Sequence, residues 1–167
     1  QFFSIVRHYY RGESEKVKDL IIETSLRDVA LGIYVKGEEL FSKVIVKGRG
    51  EILSDLLQEA LAQSYSTMDE IKRVFVTLGP GSFTGLRVGL AFAQGICFSG
   101  KRELYAASTL SALASQISSE TTIAVVTRAK PGLYYVGTKY PGSPLSAHLE
   151  NEVVVPADKL KNLIQDH

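Results

Sequence analysis

A glycine-rich segment holds the residue types in this chain that are best suited to chemistry. Residues 79–89 read GPGSFTGLRVG, after a run of β-branched and aromatic residues and before an apolar stretch without breakers. This pattern predicts a buried strand, a tight turn and a helix, with Ser82 or Thr84 as the helix cap. Backbone N–H groups at such a junction can bind an anion, so the segment first indicates phosphate binding.

The spacing within this segment does not match the two familiar phosphate motifs. A Walker A loop needs Gly-Lys-Ser/Thr after four intervening residues, and in a G-x-G-x-x-G fingerprint the third glycine would come one residue before Gly85. A structural turn and an anion site therefore remain equally open from the residues alone. The candidate nucleotide or phosphate site consists of the polar end of the first predicted strand and of the glycine turn: Glu23, Thr24, Ser25, Gly79, Gly81 and Ser82.

Small residues recur every four positions in the helix that follows the turn. Gly85, Gly89 and Ala93 share one helical face and leave it nearly flat. Each glycine within a helix costs about 1 kcal/mol relative to alanine, so a packing demand must outweigh the low helix propensity. We expect another element to approach this face closely, from the same chain or from a partner.

Composition restricts the classes of function. The 167 residues carry a formal net charge of +1, which gives no electrostatic case for nucleic-acid binding by the chain alone. The three histidines are far apart and the one cysteine, Cys97, lies in an apolar helix, so we expect neither a metal site nor a disulfide. With no signal peptide evident in residues 1–18 and no apolar stretch long enough to span a membrane, we expect a cytoplasmic protein.

The elements that must position these residues follow the order β-β-β-α-β-α-β-α. Short connections make the first three strands an antiparallel meander, and the whole order is the ribonuclease H-like topology of the actin, hexokinase and Hsp70 superfamily. We therefore predict an α/β fold with a mixed sheet flanked by helices. A second β-β-β-α opening follows, which predicts a shortened second copy. The predicted divisions are an N-terminal extension at 1–18, a first domain at 19–118 and a partial second domain at 119–167.

Several motifs resemble those of the TsaB (YeaZ) family. Residues 79–89 are similar to its hallmark segment, residues 20–25 to its first strand and turn, and Ala93-Gln94-Gly95 and Ser108-Thr109-Leu110 to two of its habitual tripeptides. The resemblance implies a non-catalytic scaffold that pairs with a TsaD-like enzyme, which transfers a threonylcarbamoyl group to the adenosine beside the anticodon of tRNA. It also implies a TsaE-like ATPase as a further partner, a homodimer in the absence of the partner, and contact with tRNA only through the complex.

The resemblance also assigns roles to residues and to cofactors. It implies that this chain requires no cofactor, with ATP and Mg at the partner subunit or at a subunit interface. Two positions depart from the family pattern: Glu23 stands where Asp is usual, and residues 126–130 lack a second Asp. The alternative function is a nucleotide-binding phosphotransferase or a glycoprotease-like peptidase of the same superfamily. The residues implied to contact a partner are Leu56, Leu57, Ala60, Gly85, Arg87, Gly89 and Ala93, although Leu56 and Leu57 would equally suit the core and Arg87 a solvated surface.

Overall fold

The first sheet has five strands and begins with the predicted meander. The computed structural model describes residues 17–98, 101–117, 119–142 and 149–160. The sheet has the order β3-β2-β1-β4-β5, in which β1 to β3 are antiparallel and β1, β4 and β5 are parallel. Its strands are β1 (Lys18–Glu23), β2 (Val29–Val35), β3 (Glu38–Ile45), β4 (Ile71–Thr77) and β5 (Glu103–Ala107).

Three α-helices connect and cover these strands. They are α1 (Leu53–Gln63), α2 (Phe83–Phe98) and α3 (Thr109–Ala114), with single 3-10 turns at Gly50–Ile52 and Met68–Glu70. The first turn of α2 is capped by Ser82, whose Oγ accepts a hydrogen bond from the N–H of Gly85 at 3.2 Å. The helix therefore begins at the glycine segment itself, and the prediction of an α-helix directly after that turn is confirmed.

The second sheet has three antiparallel strands in the order β6-β7-β8. They are β6 (Ile123–Lys130), β7 (Leu133–Lys139) and β8 (Glu150–Pro156). Residues 157–160 are helical, and the rest of the predicted final helix lies outside the described residues, as do residues 1–16 of the predicted extension. The division into two domains stays a prediction.

The core lies on both faces of the first sheet because alternate residues of each strand point in opposite directions. Leu20 and Ile22 of β1 belong to a cluster that includes Leu56 of α1 and Ala93 of α2. Ile21, between them, belongs to the cluster on the opposite face, which also contains Ala112 of α3. The central strands β1, β2 and β4 are buried along nearly their whole length because helices cover both sides of the sheet.

A buried ion pair joins the two central strands. Arg73 Nε donates to Asp19 Oδ1 at 2.7 Å and a terminal nitrogen of Arg73 donates to Asp19 Oδ2 at 3.1 Å. The two residues are register partners in β1 and β4, and both side chains are buried. This bidentate geometry fixes the register of the parallel pair.

Candidate functional site

The glycine segment packs directly against the end of β1. The N–H of Ser82 donates to the carbonyl oxygen of Ser25 at 2.6 Å, and a Cβ at Gly81 would overlap that carbonyl group. On its other side, the carbonyl oxygen of Gly79 accepts from the N–H of Thr109 at 2.7 Å. The segment is thus held between the β1 turn and α3, and Gly81 and Ser82 line an open cleft together with Thr24 and Ser25 of that turn.

The Glu23 carboxylate binds its own turn. Oε1 accepts the N–H groups of Ser25 at 2.5 Å and Leu26 at 3.1 Å, and it also accepts the Ser25 hydroxyl. The Ser25 hydroxyl in turn accepts from Thr109 Oγ1 at 2.8 Å, in a buried network. Burial raises the pKa of Glu23, and the hydrogen bonds from Ser25 and Leu26 oppose that shift less strongly. The structure brings the predicted residues together in a hydrogen-bonded joint, in which Glu23 Oε2 is buried and has no hydrogen-bond partner within the described residues.

The flat face of α2 receives Thr24. The Thr24 hydroxyl donates to the carbonyl oxygen of Gly85 at 2.7 Å, and Thr24 atoms would overlap a Cβ at Gly85 or at Gly89. Ala93 is fully buried in the core on the same side. The predicted close approach exists, but the end of β1 makes it. This is the approach from the same chain that the small residues left open, and a role of Gly85, Gly89 and Ala93 toward a partner stays a prediction.

The predicted interface residues of α1 also lie inside the chain. Leu56 and Ala60 are buried in the core between α1 and the sheet, and Leu57 packs against the same cluster. Core packing is the alternative that was left open for Leu56 and Leu57, and the role of these three residues toward a partner stays a prediction. Arg87 is exposed, with its guanidinium 5.4 Å from the centre of the Phe83 ring, and its role toward a partner stays a prediction.

Sequence reasoning missed an exposed apolar face on the other side of α2. Phe83 is 74% exposed and Phe98 is 93% exposed, and the exposed Arg87 and Ala91 lie between them at four-residue spacing. A Cβ at Gly95, on the same side, would meet nothing within 4 Å. The available signal is that α2 carries apolar residues on both sides, including Phe83 and Phe98, whereas only one side of it can face the sheet.

A cleft lies between the first sheet's loops and the second sheet. It measures about 1430 Å³ and is bounded by the β1–β2 turn, the segment before α1, the first turn of α2 and β6. Three arginines line it: Arg27, Arg49 and Arg128. This cluster could not be predicted from local pattern, since the three residues belong to separate segments.

The described residues were also compared with the requirements of a metal site, a membrane-spanning helix and a reactive cysteine. These residues contain no group of three His, Cys, Asp or Glu side chains that could hold a metal ion. In the same ranges, no helix has both the length and the apolar character needed to cross a membrane. Cys97 packs partly against the core, and burial raises the pKa of its thiol, which disfavours the reactive thiolate.

The strand order and the flanking helices define an α/β protein of the ribonuclease H-like class. A solved structure of YeaZ from Pseudomonas aeruginosa has the same fold, with a TM-score of 0.75 at 23% identity, over 86% of this chain and 68% of that chain.

The family model described as "TsaD: tRNA N6-adenosine threonylcarbamoyltransferase" matches residues 45–165, well over half of the chain. The chain therefore belongs to the TsaD/TsaB (YeaZ) family, and the predicted resemblance is confirmed.

Curated relatives match over part of their length. A tRNA N6-adenosine threonylcarbamoyltransferase from Clostridium botulinum is 30% identical over 108 residues, which cover 54% of this chain and 32% of that protein. The tRNA threonylcarbamoyladenosine biosynthesis protein TsaB from Haemophilus influenzae is 28% identical over 96 residues, covering 57% of this chain and 41% of that protein. The chain thus spans about a third of the first relative and two fifths of the second.

Proposed function

We propose that the chain is a non-catalytic scaffold subunit that pairs with a TsaD-type enzyme in the synthesis of threonylcarbamoyladenosine in tRNA. The relatives' names supply the reaction, since both concern this modification of tRNA. The proposal includes a TsaE-like ATPase as a further partner, a homodimer when the enzyme is absent, and the cytoplasm as the location.

The observation that carries the proposal is the hydrogen-bonded joint at the end of β1. Glu23 Oε1 is engaged by its own turn and the N–H of Ser82 is bonded to the Ser25 carbonyl, while Glu23 Oε2 has no hydrogen-bond partner within the described residues. A phosphotransferase would need these groups free to position a phosphate, because such catalysis depends on donors aimed at the transferred group. The joint therefore favours a structural subunit over the alternative phosphotransferase.

The outer face of α2 supports pairing with another protein. Phe83, Ala91 and Phe98 form an exposed apolar stripe, and Arg87 adds a cation that can pair with a carboxylate. Exposed aromatic residues and arginine are the types enriched at the centres of protein interfaces. A second copy of the chain would present the same stripe, which is consistent with self-association when the enzyme is absent.

Co-purification with a TsaD-type subunit tests the proposal. Phe98→Asp and Ala91→Arg each place a charge on the exposed stripe, and we expect both to lower the retained partner at least tenfold. Val44→Asp is the matched control, because Val44 is 52% exposed on the opposite face of the sheet. Undiminished pairing in both stripe variants would exclude this face, and failure of the unaltered chain to retain the enzyme would overturn the proposal.

Calorimetric titration with Mg-ATP tests the alternative directly. We expect no stoichiometric binding to the purified chain, because Glu23 Oε1 is engaged by its own turn and residues 126–130 supply no second Asp. Clear one-to-one binding that is lost in Glu23→Gln would instead favour the nucleotide-binding phosphotransferase.

A further inference from the structure

We propose that α3 is a hinge between the two sheets and that Lys139 is the clasp that keeps it closed. The helix packs against the first sheet through Ala112, which belongs to the cluster on that side of the sheet. It packs against the second sheet through Leu110 and Ala114, in the cluster that contains Val125 of β6. Positions 110 and 114 share one face of a helix and position 112 lies on the opposite face, so α3 lies between the two sheets.

Two hydrogen bonds attach the first turn of α3 to the second sheet. Ser108 is the N-cap residue, and its Oγ accepts the N–H of Ser111 at 3.3 Å. The same hydroxyl donates to Glu152 Oε1 in β8 at 2.5 Å. Ser111 Oγ accepts the N–H of Leu149, the residue before β8, at 3.2 Å in a buried contact. The beginning of the helix is therefore fixed to β8.

The same turn is also attached to the first sheet. The N–H of Thr109 donates to the carbonyl oxygen of Gly79 at 2.7 Å, and the Thr109 hydroxyl donates to Ser25 Oγ at 2.8 Å. Thr109 is completely buried at this point. Because this end of α3 is bonded to both sheets, it is the position of the axis about which the sheets can rotate.

Lys139 of β7 holds the opposite end of α3. Its Nζ donates to the carbonyl oxygen of Ala114 at 3.2 Å and to that of Ile117 at 2.9 Å. Carbonyl oxygens at the C-terminal end of a helix carry partial negative charge, and hydrogen bonds from an ammonium group are stronger than those between neutral groups. These two bonds close the far end of α3 against the second sheet.

The Lys139 contact is suited to release because the cost of burial opposes its hydrogen bonds. The residue is 8% exposed, and within the described ranges no carboxylate pairs with it and two of its three N–H donors have acceptors. Burial lowers the pKa of this ammonium group, because the charged form is desolvated. Two bonds to neutral carbonyl oxygens offset this cost without a large surplus, so the net free energy that closes the clasp is small.

The apolar contact between α3 and the second sheet is small as well. Its buried members are Leu110, Ala114, Val125 and Leu149. Packed units of one chain move relative to each other unless the interface between them is large and hydrophobic. Release of Lys139 should therefore let the second sheet rotate about the beginning of α3.

Double electron–electron resonance on the full chain tests the proposal. Cys97→Ser removes the existing thiol, and Lys72→Cys with Val154→Cys places one spin label on β4 and one on β8, both at exposed positions. We expect one narrow distance distribution in this labelled chain. Addition of Lys139→Met should produce a second population that is longer by about 5 Å or more, the scale of a rigid-body rotation.

Lys130→Met is the matched control, because it makes the same substitution at an exposed position of the second sheet. It should leave the distance distribution unchanged. Hydrogen exchange separates rotation from unfolding: in Lys139→Met we expect the protection of β6, β7 and β8 to change by less than about threefold, since these strands pair with one another.

Three results would overturn the proposal: an unchanged distribution in Lys139→Met, the same second population in Lys130→Met, or a loss of protection in β6 to β8 as the longer population appears. The hinge does not depend on the proposed function. The measurements use the chain alone, so their outcome leaves the pairing with a TsaD-type subunit to its own experiment.

Discussion

Glu23 is the residue on which the proposed non-catalytic role depends most. Its carboxylate lies at the end of β1, is almost completely buried, and accepts the N–H groups of Ser25 and Leu26. Glu23 was expected at the polar end of the first strand, and it is the last residue of β1. The sequence could not show that the longer side chain folds back onto its own turn, because this depends on the loop geometry of residues 24–26.

The pH dependence of stability tests the environment of Glu23. Burial raises its folded pKa above 4.5, so its contribution to stability is complete below that pH and is lost as the pH rises through the folded value. Glu23→Gln should remove this pH dependence. In the unaltered chain, the free energy of unfolding should fall by up to about 1.4 kcal/mol per pH unit over this range. Urea unfolding of both proteins between about pH 4 and pH 8 measures it. Parallel profiles would contradict the assigned environment.

Substitution of Gly89 tests whether Thr24 packs on the flat face of α2. Gly89→Ala should lower the free energy of unfolding by about 1–3 kcal/mol, because its Cβ would overlap the Thr24 hydroxyl. Gly95→Ala is the matched control in the same helix, where a Cβ meets nothing within 4 Å, and it should stabilise by up to about 1 kcal/mol. Denaturant unfolding gives both values. Equal effects of the two substitutions would show that Thr24 does not occupy this face.

At the scale of elements, the strands and helices of the first sheet were predictable from local pattern. The antiparallel meander predicted for the first three strands is confirmed as β1 to β3, and the helix expected after the glycine turn is α2. The small-residue stripe correctly indicated a close approach. Its partner could not be predicted, since Thr24 lies 61 residues before Gly85 and no local pattern connects them.

The Asp19–Arg73 pair holds β1 against β4 and was not predicted, because the two residues are 54 positions apart. Asp19→Ala should cost about 3–5 kcal/mol, since it leaves a buried guanidinium without its carboxylate. Glu59→Ala removes the half-exposed Lys43–Glu59 pair and should cost no more than about 1 kcal/mol. Denaturant unfolding compares them. A loss at Asp19 as small as that at Glu59 would mean that the buried pair does not anchor the strands.

At the scale of the whole molecule, the loops of the first sheet and the second sheet bound a cleft. The residues that line this cleft come from several separate segments of the chain. Arg27, Arg49 and Arg128 are unremarkable in sequence, because each belongs to a different segment. The net charge of +1 is a sum over the whole chain, so it does not indicate where arginines cluster. The exposed stripe of α2 could not be predicted either. A largely apolar helix is expected to be buried, and its exposed side is known only once its neighbours in the fold are known.

The central claim is that this chain supports a TsaD-type enzyme without taking part in the chemistry. The most direct measurement is the formation of threonylcarbamoyladenosine in tRNA by that enzyme, with and without the chain. We expect the chain to stimulate product formation, Glu23→Gln to preserve at least half of the stimulation, and Phe98→Asp to remove it at least tenfold. Product formation by the chain alone, or loss of stimulation in folded Glu23→Gln with pairing intact, would contradict the claim.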